Sequence, residues 1–147
     1  MTKKKSPFPW IAGILLMLSL GLVLWPFFRP GFFITDDGEW MVIRLSAFYQ
    51  SLASGQFPVR FLGRLNNSYG YPVANFLYPG FLYIGSVLHV IGISFVDAVK
   101  VILGVSVAGG AAATFMTLRS RFKMVPSILG TMSFIFSPYL LYDVYRR

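Results

Sequence analysis

Three acidic residues, Asp36, Asp37 and Glu39, fall together in the stretch TDDGEW, although the whole chain carries only five. Carboxylates grouped in this way do two kinds of chemistry. One takes a proton from an attacking hydroxyl, and a set of them holds a hard divalent cation such as Mg or Mn through oxygen ligands. Asp37 is the candidate catalytic base, and Asp36, Asp37 and Glu39 are the candidate metal set. Arg44, Arg60 and Arg64 follow in the same polar stretch, and a guanidinium fork matches the oxygens of a phosphate. Each group also has a plainer reading. Asp36 and Glu39 have the spacing of a capping box, which caps the start of a helix without doing chemistry. The arginines also suit anchoring to lipid headgroups.

The elements that must hold these residues are apolar. Of 147 residues, 56% are hydrophobic and 12% charged, which is more apolar surface than a soluble domain of this size usually hides. Lys3, Lys4 and Lys5 precede an uncharged run from Trp10 to Phe28. As a helix that run is about 28 Å long, close to the hydrocarbon thickness of a bilayer. No small-x-small cleavage site follows it, so it reads as a spanning helix rather than a signal peptide. The lysines place residues 1–9 in the cytoplasm and the acidic stretch outside.

Residues 29–96 then form an outer loop. Within it, Met41, Leu45, Phe48 and Leu52 recur at helical spacing before Gly55, predicting an amphipathic helix over 37–54 along the membrane surface. From Gln56 to Asn75 the Gly, Pro, Asn and Tyr content predicts an ordered loop. The segment 76–93 is apolar but interrupted by Pro79, Gly80, Gly85 and His89. If it spanned, Arg119, Arg121 and Lys123 would emerge outside; as an interfacial or re-entrant helix it leaves them in the cytoplasm, which the positive-inside rule prefers. Ser94 and Asp97 form a second capping box, opening a spanning helix over 97–118 rich in small residues, GVSVAGGAAAT, which permit close helix approach. A cytoplasmic loop over 119–124 and a further spanning helix over 125–142, with Pro126 in its first turn, complete the reading. The expected fold class is all-α, an integral membrane helical bundle with juxtamembrane helices in the first extracytoplasmic loop. Multi-pass insertion in the cell membrane, with membrane lipid as a partner, follows from it.

The motifs TDDGEW, GQFPVRF, NNSYGYPVANFLYP, GISFVDAVK and SPYLLYDVYRR, in this order and spacing, resemble the N-terminal part of a family of multi-pass membrane proteins. These are labelled 6-pyruvoyl-tetrahydropterin synthase-related and are similar to the C-type glycosyltransferases that use polyprenyl-phosphate sugar donors. The resemblance covers nearly everything from Gly31 onward. It implies a membrane-embedded transferase whose first outer loop supplies an acid to the active site, and Asp37 matches that acid. Arg44, Arg60, the turn from Tyr69 to Pro72, Tyr78, Asp143 and Arg146 fall on recurring family positions. Where many relatives have a His four residues after the acid, this chain has Met41, which neither ligates a hard metal nor moves a proton. Family members are several times longer, so the chain is expected to be a fragment that needs the remaining helices of a longer chain or a partner subunit.

The substrate-binding candidates are Arg44, Arg60, Tyr69, Tyr71, Asp143 and Arg146, which the resemblance also covers, together with Arg64 and Lys100, which are read from their charge and position alone. Tyr69 and Tyr71 could stack on a sugar, or simply shape a turn. Lys100 lies one turn into a membrane helix, where a charge is costly; it either faces the site or pairs with Asp97 three residues back. Asp143 with Arg146 is either a second part of the site or a helix-end ion pair. His89, alone in an apolar segment, reads as a hydrogen-bonded interfacial residue. The alternative from another class is a non-catalytic membrane subunit or lipid-binding scaffold. Nucleic-acid binding is not expected, because the basic residues flank apolar runs rather than forming a stripe. Without cysteine there is no disulfide framework and no thiolate metal site. A Gly-rich phosphate loop following a strand is also missing from the sequence.

Overall fold

The computed structural model describes residues 8–145 apart from Ile34 and Asp36, and leaves the side chains of Phe8, Pro9 and Asp143 undescribed. The regular elements among the described residues are all helices, with no strand among them. The helices are α1 (Phe8–Leu24), α2 (Gly38–Ala53), α3 (Gly80–Val90), α4 (Phe95–Arg121), α5 (Met124–Ile135) and α6 (Pro138–Tyr145). Two single 3-10 turns, Trp25–Phe28 and Val73–Asn75, accompany them. Three stretches are long and apolar enough to cross a membrane: Trp10–Phe28, Phe95–Arg121 and Met124–Tyr142. The protein is therefore an all-α membrane protein.

The chain divides into two compact units, one of residues 31–103 and one of residues 1–30 with 104–147. In the first, Leu45, Ala47 and Phe48 of α2 and Leu82 of α3 are buried together with Val59, Leu62, Val73 and Ala74 of the intervening loop and Ala98 and Val99 at the start of α4. The expected stripe on α2 is seen, since Met41 and Leu52 pack against the same core as Leu45 and Phe48. α3 approaches α2 closely at Gly85, where an added Cβ would lie 2.7 Å from Leu45 Cδ1. α3 is shorter than the expected 76–93 helix. Pro79 precedes its first residue and Gly92, at φ +97°, follows its end, a left-handed conformation that glycine adopts cheaply.

The loop between α2 and α3 is ordered. Leu62 and Tyr71 exchange backbone hydrogen bonds as an isolated antiparallel bridge. Asn66, Asn67 and Ser68 turn the chain between them with positive φ, a conformation that asparagine tolerates better than most residues. Phe61 lies over Gly70, leaving no room there for a side chain. Two side-chain bonds tie the loop to its helices: Ser51 Oγ donates to the Phe61 carbonyl at 3.2 Å, and the Val59 N–H donates to Tyr83 Oη at 3.1 Å.

In the second unit Val23 of α1, Val107 and Ala111 of α4 and Ile135 of α5 form the core, flanked by Leu140, Leu141 and Val144 of α6. Small residues permit the packing. A Cβ on Gly110 would sit 3.2 Å from Phe134, and one on Gly130 would sit 2.6 Å from Leu118. The buried hydroxyls of Ser127 and Thr131 donate to the carbonyls one turn back, so neither polar group is left unsatisfied in an apolar setting. The expected single helix over 125–142 is instead two. Pro138 has no N–H and would clash with the carbonyl four residues earlier, so α5 stops at Ile135. Ser137 starts α6, its Oγ accepting from the Leu140 N–H at 3.3 Å. Tyr145 Oη donates back to the Val23 carbonyl.

Candidate functional site

Asp37 occupies the N-cap position of α2, exposed, and its side chain makes no capping hydrogen bond. That bond is made by Thr35, whose Oγ1 accepts from the Gly38 N–H at 2.7 Å. Gly38 is buried under Phe32 and Thr35, which fill the space where a Cβ would stand. Among the described residues it is Thr35 that bonds the helix start, while Glu39 lies exposed in the first turn; the capping box expected from Asp36 and Glu39 rests on Asp36, which lies outside the described residues. Asp37 is left as an exposed carboxylate on a helix anchored through Leu45 and Phe48 to a buried core.

Arg44 is seven residues further along α2 and partly buried. Seven residues are almost two full turns, so Asp37 and Arg44 share one face about 10 Å apart along the axis. Met41 lies between them and packs against the core. Arg60 is placed elsewhere. Its neighbour Phe61 is bonded to Ser51 near the far end of α2, which puts that attachment about 21 Å along the axis from Asp37. The structure therefore brings Arg44 to the Asp37 face but not Arg60. Arg64 is exposed in the same loop as Arg60, and Tyr69 and Tyr71 are exposed beyond it.

Lys100 is 5% exposed and pairs with Asp97 at 3.7 Å. Ser94 caps α4 as expected, its Oγ accepting from the Asp97 N–H at 3.1 Å, but the return bond of a full box is not made: the Asp97 Oδ2 accepts from the Ser94 hydroxyl at 2.6 Å rather than from its backbone N–H. His89 is held by Ile93, its Nδ1 lying 2.9 Å from the carbonyl, and stacks on Phe95 with Tyr49 edge-on. Arg146 and the Asp143 side chain lie outside the description, so the expected second part of the site has no geometry. Among the described residues no three His, Asp or Glu side chains gather as a metal site; with Asp36 undescribed, Asp37 and Glu39 are what remains of the expected set. An open apolar hollow of about 550 Å³, lined by Trp10, Gly13, Ile14, Met17, Leu18 and Met124, contains none of the candidate site residues.

Sequence reasoning missed Thr35 and Gly38. The signal was there in TDDG: a threonine three residues before a glycine that opens a helix is as good a cap as the acids beside it. No family model, no curated protein and no solved structure matches the chain.

Proposed function

We propose that this chain is the donor-side part of a membrane-embedded transferase resembling the glycosyltransferases that use polyprenyl-phosphate sugars, acting on the outer face of the cell membrane. In this reading the hydroxyl oxygen of the acceptor attacks the anomeric carbon and the Asp37 carboxylate takes its proton. The bond from that carbon to the phosphate oxygen breaks, and polyprenyl phosphate leaves with the electron pair. Arg44, on the same face of α2, supplies positive charge for the departing phosphate. The observation that carries the reading is the exposed Asp37 carboxylate at the start of a core-anchored helix, relieved of capping by Thr35. The resemblance of the surrounding motifs supports it.

The test uses the native product, purified with whatever chain or subunit accompanies it and supplied with a polyprenyl-phosphate sugar. Asp37→Asn removes the base while keeping the shape, and should lower transfer by about 10²- to 10⁴-fold, with Asp37→Glu retaining part of the rate. Transfer near the wild-type rate in a folded Asp37→Asn protein removes Asp37 from the chemistry.

A second reading, the non-catalytic scaffold, is favoured by one observation: Arg60 is not on the Asp37 face. It predicts that Asp37→Asn is silent and that Gly109→Leu disrupts assembly. Gly109 has open space around it, whereas Gly110 faces Phe134 within the chain, so only the former tests a partner without disturbing the fold.

A further inference from the structure

The loop from Gln56 to Tyr78 carries large aromatic side chains that nothing in the fold covers. Phe57 is 79% exposed, Tyr69 84%, Phe76 83% and Tyr78 90%. The segment beneath them is not loose. Val59, Leu62, Val73 and Ala74 are buried in the core, and the loop is bonded to α2 and α3 at Ser51 and Tyr83. A firmly held backbone therefore presents aromatic rings outward, which in water leaves a large apolar area exposed.

Charge narrows what can cover them. From Trp40 to Val96 the sequence contains no Asp or Glu, while Arg44, Arg60 and Arg64 are present. Arg60 and Arg64 are exposed among the aromatics. Continuity narrows it further, because the stretch of chain that holds this loop begins just after one candidate span, Trp10–Phe28, and ends in another, Phe95–Arg121. Aromatic rings with one wet edge, interleaved with arginines and free of acids, match the headgroup layer of a bilayer.

We infer that the loop from Gln56 to Tyr78 is a membrane anchor, seating Phe57, Tyr69, Phe76 and Tyr78 in the headgroup layer of an anionic leaflet with Arg60 and Arg64 on its lipid phosphates. This holds whether or not Asp37 is a catalytic base. The loop keeps its own leaflet and is attached to the core of α2 and α3, so it fixes that unit at the membrane surface.

The chain has no cysteine, so Tyr78→Cys in the full chain gives one labelling site for an environment-sensitive fluorophore. The labelled protein is reconstituted into phosphatidylcholine bilayers with and without phosphatidylglycerol. Quenching by a phospholipid spin-labelled near its headgroup, together with protection from aqueous iodide, is the expected result. Phosphatidylglycerol should raise the ratio of lipid-quenched to iodide-quenched label, and Arg60→Gln with Arg64→Gln should lower it by about fivefold per arginine. Full access to iodide without lipid quenching overturns the inference. Protection from both quenchers overturns it in favour of a protein partner. Equal quenching with and without phosphatidylglycerol overturns the role of the arginines.

Discussion

At the scale of the residue, what distinguishes Asp37 is the work its neighbours do. Thr35 accepts the Gly38 N–H, and Gly38 lets Phe32 and Thr35 close over the helix start. Had Asp37 capped the helix itself, its carboxylate would be tied to the backbone. Gly38 is therefore a structural requirement of the helix start that carries Asp37. Gly38→Ala adds a methyl group where Phe32 and Thr35 already sit, and overpacking of this kind costs about 1–3 kcal/mol. Thermal unfolding in detergent should show a lower midpoint for Gly38→Ala. Thr35→Ala should cost about 1 kcal/mol through the lost cap, and Thr35→Ser should restore most of it. A Gly38→Ala protein as stable as wild type would mean that the start of α2 is not packed as described.

At the scale of the element, periodicity and capping made most of the fold legible. Met41, Leu45, Phe48 and Leu52 marked the buried face of α2, and Ser94 with Asp97 marked the start of α4, because both signals are local. What was not legible depended on contacts distant in sequence. Gly85 reads as a flaw in an apolar segment, yet it is the place where Leu45 of α2 enters α3. Pro138 was legible as a breaker in SPYLL, but overall apolarity outweighed it in the reading of 125–142 as one helix. The candidate site divides in the same way. The Asp37 and Arg44 face follows from helical spacing, whereas the displacement of Arg60 follows from its neighbour's bond to Ser51, which no spacing encodes. Gly85→Leu should separate α2 from α3. Limited proteolysis should then cut the loop between Gln56 and Tyr78 far faster than in wild type, while Ile84→Leu, at an exposed position of the same helix, should leave the pattern unchanged.

At the scale of the whole molecule, the length of α3 bears on how the chain crosses the membrane. Its 11 residues reach about 16 Å, roughly half the hydrocarbon thickness. It is too short to cross alone, which supports the topology in which residues 31–94 stay on one side. In the expected topology, with the N-terminal lysines in the cytoplasm, the first span would carry that stretch outside and α4 would return the chain. The exposed Arg119, Arg121 and Lys123 would then lie in the cytoplasm with the lysines, as the positive-inside rule prefers. Ser120, exposed between two of these residues, is the position to test. Ser120→Cys in intact cells should resist a membrane-impermeant maleimide and react only after the membrane is opened. Reaction of Ser120→Cys in intact cells would require α3 and its flanks to cross the membrane after all, or the first span to be inverted. Labelling a cysteine placed at Thr2 separates those two: in the inverted case it reacts from outside, and in the other it does not.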